Sequence, residues 1–156
     1  MEYKLNKNWD IWYHSIKDND WGKNSYRRIL TIRNLFDFKI IIDNFKQNHY
    51  QNGMFFIMQS GIFPNWEDPK NRIGGCLSFK IYSKDIIETW NYLLINILNE
   101  SFFKNNNKII NGISITPKKE FNIIKIWIND KIFEYKDIFI ENKYLNINES
   151  LFKPNS

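Results

Sequence analysis

Two of the six tryptophans lie in polar segments rather than within an apolar repeat. Trp21 lies in residues 17–23 and Trp66 in residues 63–69, and both segments are rich in Asp, Asn, Gly or Pro, which favour loops. An indole ring held on a loop can stack on a flat ligand such as a nucleobase. Either ring could instead fold back as a lid on the core, which is the more common arrangement for one tryptophan. The presence of two favours a stacking site.

The residues that could support catalysis form no recognised motif. His14, His49, Cys76 and the Glu67–Asp68 pair carry groups suited to acid–base or nucleophilic chemistry, but no Cys–His or Ser–His–Asp order of a known kind is present. One cysteine and two distant histidines give no zinc spacing. A magnesium-dependent hydrolase would need a carboxylate cluster on one helix, and none is visible. We therefore expect a binding protein without catalytic activity, metal or cofactor.

Length and composition predict one globular domain over residues 1–156, since 43% of the residues are hydrophobic and 17% are aromatic. A formal charge of +5 and a pI near 9.2 favour an anionic partner such as a phosphate-bearing ligand. Charge alone is weak support, because abundant Lys, Asn and Ile are typical of an AT-rich genome, such as that of a parasite or a large DNA virus.

The sequence predicts an intracellular, cytoplasmic protein that does not contact a membrane. No stretch approaches the ~20 consecutive apolar residues of a spanning helix, and the first ten residues lack the apolar core of a secretory signal. Cys76 is the single cysteine, so no internal disulfide can form, and a reducing compartment suits the chain.

Six segments are predicted as strands, either by alternation of apolar and polar residues or by their aromatic and β-branched content. They cover residues 9–14, 28–33, 54–59, 77–82, 113–116 and 122–128. In the last segment the three even-numbered isoleucines share one face, which leaves Lys125 and Trp127 on the other. Trp127 is therefore not required to be a core residue.

Helical spacing of apolar residues is clearest over residues 84–99 and recurs over residues 35–46, and a third helix is expected near the C-terminal end. Strands and helices do not alternate regularly, so the pattern predicts an α+β fold in which an antiparallel sheet is covered on one face by helices. Asn105, Asn106 and Asn107 indicate an exposed loop.

The order of these features resembles a known family. Trp-Asp-Ile-Trp-Tyr-His at residues 9–14 precedes Trp21, and residues 60–75 read Ser-Gly-Ile-Phe-Pro-Asn-Trp-Glu-Asp-Pro-Lys-Asn-Arg-Ile-Gly-Gly. The likeness continues through Trp90, Asn-Glu-Ser-Phe at residues 99–102 and Asn-Gly at residues 111–112 to Trp127. Over residues 5–128 the chain thus resembles a divergent member of the eukaryotic translation initiation factor 4E family, the cap-binding subunit of the initiation complex.

The resemblance implies a curved antiparallel sheet with about three helices on its convex face and a slot for the 7-methylguanosine cap of messenger RNA on its concave face. Trp21 and Trp66 match the tryptophans that stack on the base, whose N7 methyl group adds a positive charge and therefore a cation–π attraction. Glu67 matches the residue that accepts from N1 and N2 of guanine. Trp127 resembles the tryptophan at the methyl group, although an ordinary sheet-surface aromatic remains the alternative. Asp68 suits a turn instead.

The positions that match the family's phosphate-binding residues diverge. Cys76 replaces the arginine that usually follows the Gly-Gly pair, and Lys118 replaces a second arginine, which keeps the charge but loses the bidentate fork. Ile123 replaces a lysine, but Lys125 is on the same face and could serve instead. Lys119 is a further candidate. Each lysine could equally be a solvated surface charge.

The family's convex back usually binds a helical segment of a scaffold or repressor protein. Lys39 stands where the family has a tryptophan, and Asn91 stands where an apolar contact is expected, whereas Leu35 and Ile95 are acceptable apolar residues. Loss of an indole removes a typical interface anchor, so we expect weakened scaffold binding or a different partner. After Trp127 the chain is shorter than typical relatives, so the C-terminal loop on the cap side is expected to be reduced or absent.

Three binding functions therefore compete. The leading hypothesis is a cap-binding factor that supports translation initiation. The second is a cap-binding translational repressor that does not engage the usual scaffold, and Lys39 favours it. The third is a basic RNA-binding module without cap preference, whose affinity would depend on phosphates and fall strongly with salt.

Overall fold

One seven-stranded antiparallel sheet organises the chain in the computed structural model, which describes residues 3–104, 109–131 and 134–156. The strands are β1 (Lys4–Ser15), β2 (Arg27–Asn34), β3 (Gly53–Gln59), β4 (Gly75–Tyr82), β5 (Ile110–Pro117), β6 (Phe121–Ile128) and β7 (Leu151–Pro154). They are arranged in the order β2-β1-β3-β5-β6-β4-β7, and every neighbouring pair is antiparallel. The predicted α+β class and all six predicted strands are confirmed.

Four α-helices accompany the sheet within the described residues, together with three short 3-10 turns. The helices are α1 (Leu35–Asn44), α2 (Gln47–Asn52), α3 (Pro69–Arg72) and α4 (Ile86–Leu98). The side chain of Asn34 caps α1 by accepting a hydrogen bond from the backbone N–H of Asp37 at 3.0 Å. The helix ends at Asn44, two residues before the predicted boundary, and the backbone of Phe45 beyond it is extended.

The main core lies between the sheet and helices α1, α2 and α4 on its convex face. Helix α4 buries Trp90 and four residues at spacings of three and four, as its sequence predicts: Ile86, Leu93, Leu94 and Ile97. Helix α1 contributes Ile41, and α2 contributes Tyr50. The three even-numbered isoleucines of β6 are fully buried in the same core. Burying each such side chain stabilises the fold by roughly 1.5–3 kcal/mol.

The helix predicted near the C-terminal end is wrong for the described residues there, which form a 3-10 turn, Ile147–Glu149, and strand β7. Local asparagine side chains explain the difference. Asn142 Oδ1 accepts from the N–H groups of Tyr144 and Leu145 at 2.9 and 2.8 Å, and Asn146 Oδ1 accepts from the N–H of Asn148 at 3.0 Å. Such bonds satisfy backbone donors without a helix.

The loop predicted at Asn105, Asn106 and Asn107 lies outside the described residues. No helix within the described ranges is long and apolar enough to cross a membrane.

Candidate functional site

The concave face of the sheet contains an open cleft of about 570 Å³. It is lined by residues of β3 to β7 and of the two loops that carry Trp21 and Trp66: Trp21, Tyr26, Met54, Phe56, Pro64, Asn65, Trp66, Glu67, Cys76, Ser78, Ser114, Thr116, Lys125, Trp127, Lys153, Pro154 and Asn155. The fold thus brings the four predicted base-binding residues to one cavity, although they come from distant parts of the sequence.

A second hollow, of about 430 Å³, continues the cleft, because both are lined by Trp21, Met54, Thr116 and Lys125. It extends the cavity toward Lys118, at the turn between β5 and β6. Of the three lysines predicted to bind phosphate, Lys125 and Lys118 therefore lie at the cleft. Lys119 is exposed but lines neither hollow.

Trp21 is 54% exposed, so it is not a lid on the core. One face of its indole stacks on the imidazole of His14, with ring centroids 4.1 Å apart and an angle of 1° between the planes. His14 lies on β1 and is fully buried. A rigid core residue therefore fixes the ring of a loop tryptophan.

Hydrogen bonds within the loop determine where Trp21 lies. Asp18 Oδ1 accepts from the N–H of Asp20, and Asp20 Oδ1 accepts from the N–H of Gly22, each at 2.8 Å. The Nε2 atom of His14 lies 2.8 Å from the carbonyl oxygen of Asp20 and 3.1 Å from Ser25 Oγ. The Asp and Asn content that predicts a loop thus produces short-range turns that β1 anchors.

Trp66 is 50% exposed. It belongs to a loop whose polar residues hold the backbone in place by hydrogen bonds. Asp68 Oδ2 accepts from the N–H of Phe63 at 2.9 Å, and its Oδ1 accepts from the N–H of Lys70 at 2.9 Å, which caps α3. Asn71 is fully buried and donates to the carbonyl groups of Phe63 and Asn65 at 2.9 and 2.8 Å. Asp68 is therefore the turn residue that the sequence predicts.

Glu67 is exposed, and the structure describes no hydrogen bond or ion pair of its carboxylate with another described residue. Its carboxylate lies close enough to Tyr26 to affect that phenol. Burial, and then the charge of Glu67, raise the pKa of Tyr26 to about 12. Glu67 therefore places a negative charge beside Trp66 at the cleft wall.

Tyr26 is a cleft residue that sequence reasoning missed. Its ring packs against His14, Phe56 and Phe63 at centroid distances of 4.9, 5.7 and 5.1 Å, and lies 6.4 Å from Trp21. Tyr26 therefore packs between the loop of Trp21 and the loop of Trp66 and supports both. The available signal is its position, because Tyr26 is an aromatic residue between the Trp21 loop and the strand predicted over residues 28–33.

Trp127 lies on the face of β6 that is opposite the main core, as alternation predicts, but it is only 7% exposed. Its Nε1 donates to Ser114 Oγ at 3.0 Å, and its ring packs against Phe56 with centroids 6.5 Å apart. It belongs to a second buried cluster with Phe56, Met58, Ile62 and Cys76. Trp127 is therefore a largely buried residue of the concave face that lies on the lining of the cleft.

Cys76 is buried in the same cluster and supplies no positive charge. Its Sγ lies 3.7 Å from Asn155 Oδ1, to which it donates. Burial raises the pKa of the thiol to about 12, and the charge of Lys125 lowers it by less. The thiol is therefore neutral at physiological pH, and any charge for an anion in the cleft must come from other residues.

The convex face carries the residues predicted to bind a partner. Leu35 and Ile95 are 47% and 46% exposed, Asn91 is half-buried, and Lys39 pairs with Asp43 one turn along α1. Two further apolar residues of α1 are exposed that sequence reasoning missed: Phe36 at 63% and Ile40 at 50%. Since they are four residues apart, they lie on one side of the helix.

Within the described ranges, no three His, Cys, Asp or Glu side chains are grouped so that they could hold a metal ion.

Residues 4–152 match a family described as Eukaryotic initiation factor 4E. Among curated relatives, the chain is similar to eukaryotic translation initiation factor 4E of Saccharomyces cerevisiae, at 26% identity over 134 residues, which covers 81% of this chain and 62% of the relative. It is also 25% identical to the Candida glabrata factor, over 81% of this chain and 63% of the relative. The chain thus spans less than two thirds of the length of these relatives.

Solved structures of similar fold include an Ascaris suum eIF4E-3 complex with m7G cap, with a TM-score of 0.76, 20% identity and coverage of 85% of this chain and 76% of that one. A Caenorhabditis elegans eIF4E-3 complex with the 4E-binding protein Mextli and cap analog gives a TM-score of 0.75 and 20% identity, and covers 83% and 76% of the two chains. At this identity the likeness describes the fold.

Proposed function

Because the chain belongs to the eukaryotic initiation factor 4E family, we propose that it binds the 7-methylguanosine cap of messenger RNA and thereby supports translation initiation. The observation that carries this proposal is the placement of two half-exposed tryptophans, Trp21 and Trp66, on the lining of one cleft. Indole rings attract a base that carries a positive charge, and methylation at N7 gives guanine that charge.

The charges of the cleft suit a ligand that is cationic at its base and anionic along its phosphates. Glu67 lies beside Trp66, where a carboxylate can accept from N1 and N2 of guanine and complement the methylated ring. Lys125 lines the same cleft and Lys118 the adjoining hollow. Adenine lacks the N1 and N2 donors that guanine presents to Glu67, so the arrangement favours guanine.

Trp127 is assigned to the methyl group, since it lies at the floor of the cleft and its ring is fixed by Ser114. Lys118 and Lys125 are assigned to the phosphates, with Lys119 as a flanking charge outside the cleft. The protein binds its ligand without chemical turnover and acts in the cytoplasm, where capped messages are translated.

A partner on the convex face completes the proposal. Leu35, Phe36 and Ile40 are exposed apolar residues of α1, and Ile95 is one of α4; such side chains suit the apolar side of a helical segment from a scaffold or repressor. Lys39 lies on α1 with the first three of these residues, and it favours a second candidate function, a repressor that occupies caps without recruiting the usual scaffold.

Competition on an immobilised 7-methyl-GTP resin tests the proposed function. The bound protein should elute with free 7-methyl-GTP and be retained at the same concentration of GTP or of 7-methyl-ATP. Glu67→Gln removes the charge but keeps the shape, and should weaken retention, whereas Glu88→Gln on helix α4 is the matched control. A basic RNA-binding module would instead elute equally with every nucleotide and show equal affinity for capped and uncapped RNA, lost together as salt rises.

A further inference from the structure

The cleft contains a positive charge that the sequence does not reveal as part of the site. Lys153 lies on β7, 77 positions after Cys76, and it lines the cleft beside Trp127 and Lys125. We propose that Lys153, together with Lys125, binds the phosphate chain of the capped nucleotide in place of the arginine that Cys76 replaces. This inference rests on the proposed function and names a phosphate-binding residue that belongs to the C-terminal edge strand.

The register of the sheet places Lys153 next to the position that lost its charge. Cys76 on β4 is opposite Trp127 on β6 and opposite Lys153 on β7. Cross-strand partners point to the same face, with Cβ atoms about 4.5–5.5 Å apart. Since Trp127 points to the concave face, Cys76 and Lys153 do so as well. A lysine side chain from β7 can therefore reach the space that a longer side chain at position 76 would occupy.

Lys125 lies close to the same point. It is opposite Ser78 on β4, two residues along from Cys76, and its ammonium is near enough to Cys76 to lower the pKa of that thiol against the larger effect of burial. Neither Lys125 nor Lys153 forms an ion pair with any residue that the structure describes. Two unpaired ammonium groups that line one cleft repel each other, and an anion between them removes that repulsion.

Strand β7 is held firmly enough to position a ligand-binding side chain. Its four residues pair with β4, and Gly75 allows the close approach, because a Cβ there would meet the carbonyl oxygen of Lys153 at 2.5 Å. Beyond the strand, the backbone N–H of Asn155 donates to the carbonyl of Gly74 at 2.9 Å, and its side chain donates to the carbonyl of Asn71 at 2.8 Å.

The bond between the side chain of Asn155 and the carbonyl of Asn71 joins two parts of the cleft lining. Asn71 also holds the loop of Trp66, so one buried residue joins the base-stacking tryptophan to the strand that carries Lys153. The loop of Trp66 and the C-terminal end of β7 are therefore linked by direct hydrogen bonds through Asn71. Trp66 and Lys153 line the same cleft, so a base that stacks on Trp66 can extend its phosphates toward Lys153.

Affinities for 7-methyl-GTP and for the nucleoside 7-methylguanosine, which lacks phosphates, test this inference. Lys153→Ala should weaken binding of 7-methyl-GTP by about fivefold, the order expected for one exposed charge pair, and should leave binding of the nucleoside unchanged. Lys153→Arg should restore binding of 7-methyl-GTP. Lys84→Ala, which removes an exposed lysine outside the cleft, is the matched control.

Each failure has a distinct signature. If the unmodified protein binds 7-methyl-GTP and Lys153→Ala binds it as tightly as Lys84→Ala does, Lys153 is not a phosphate ligand. An equal loss for nucleotide and nucleoside would overturn the assignment too, since it would indicate a distorted cleft. If the unmodified protein binds neither ligand, the proposed function itself fails and the inference fails with it.

Discussion

The imidazole of His14 and the indole of Trp21 lie parallel, with their centroids 4.1 Å apart. His14 is fully buried on β1, whereas Trp21 is half exposed on the loop that follows this strand. The core of the protein thus supports one face of the indole, and the exposed remainder of the ring lines the cleft.

This pair predicts that His14 is needed for cap affinity although it does not line the cleft. His14→Ala should weaken binding of 7-methyl-GTP by about two- to tenfold, because stacked aromatic pairs contribute roughly 0.5–1.5 kcal/mol. His14→Phe keeps a ring beneath Trp21 and should retain more affinity than His14→Ala. Titration by tryptophan fluorescence measures both, and His49→Ala on α2 is the matched control. Equal affinities for His14→Ala and His49→Ala would show that Trp21 needs no support.

Asn71 is predicted to be the residue on which the Trp66 loop depends most. Asn71→Ala removes the amide donor from the Asn65 carbonyl and one of two donors from the Phe63 carbonyl, and a buried group that loses its partner costs about 1–3 kcal/mol. Urea unfolding should show that loss, and affinity for 7-methyl-GTP should fall with it. Asn44→Ala removes an exposed amide of α1 and should change neither quantity. Unchanged cap affinity in a destabilised Asn71→Ala protein would separate the loop from the site.

Cys76 predicts how stability changes at alkaline pH. The pKa of the thiol is about 12 in the folded protein against an ordinary value of 9.0, so the folded state keeps the proton while the unfolded chain loses it. The contribution of the protonated thiol to the free energy of unfolding is complete below pH 9 and is lost as pH rises toward 12. At pH 10.5 the loss amounts to about 2 kcal/mol. The free energy of unfolding should fall less between pH 8 and pH 10.5 in Cys76→Ala than in the unmodified protein. An equal fall in the free energy of unfolding of both proteins would contradict the raised pKa of Cys76.

A substitution on the convex face is predicted to strengthen binding of a partner protein. Lys39→Trp places an indole on α1 beside Leu35 and Phe36 and should bind a 4E-binding protein such as Mextli about tenfold more tightly than the unmodified chain does, since a buried tryptophan is a typical interface anchor. Lys84→Trp controls for a new surface tryptophan. Equal affinities of Lys39→Trp and the unmodified protein would indicate that Phe36 and Ile40 already provide the anchor.

Much of the fold follows from local sequence patterns. The even-numbered isoleucines of β6 and the spacing around Trp90 on α4 predict a buried sheet face and a helix that covers it, and the structure has both. Helices α2 and α3 were missed because each is only four to six residues long and polar, so neither has enough residues to show a periodic face. Strand β7 was missed because its pairing with β4 joins residues far apart in sequence.

Some residues of the candidate site could likewise be predicted from the sequence, and others could not. Trp21, Trp66 and Glu67 could be identified because a polar loop does not otherwise require an indole, and because their order resembles a family. The positions of Tyr26, His14 and Lys153 at the cleft depend on the tertiary structure, and no sequence pattern records that His14 stacks on Trp21 or that Lys153 is opposite Cys76. Such residues are found only when the register of the sheet is known.

The central claim is that Trp21 and Trp66 enclose a methylated guanine, and tryptophan fluorescence quenching tests it most directly. Quenching by 7-methyl-GTP should saturate at a concentration about tenfold or more below that needed for GTP, because only the methylated base gains the cation–π attraction. The preference should disappear in Trp66→Ala. Equal quenching by the two nucleotides, or a preference that survives in Trp66→Ala, would contradict the account.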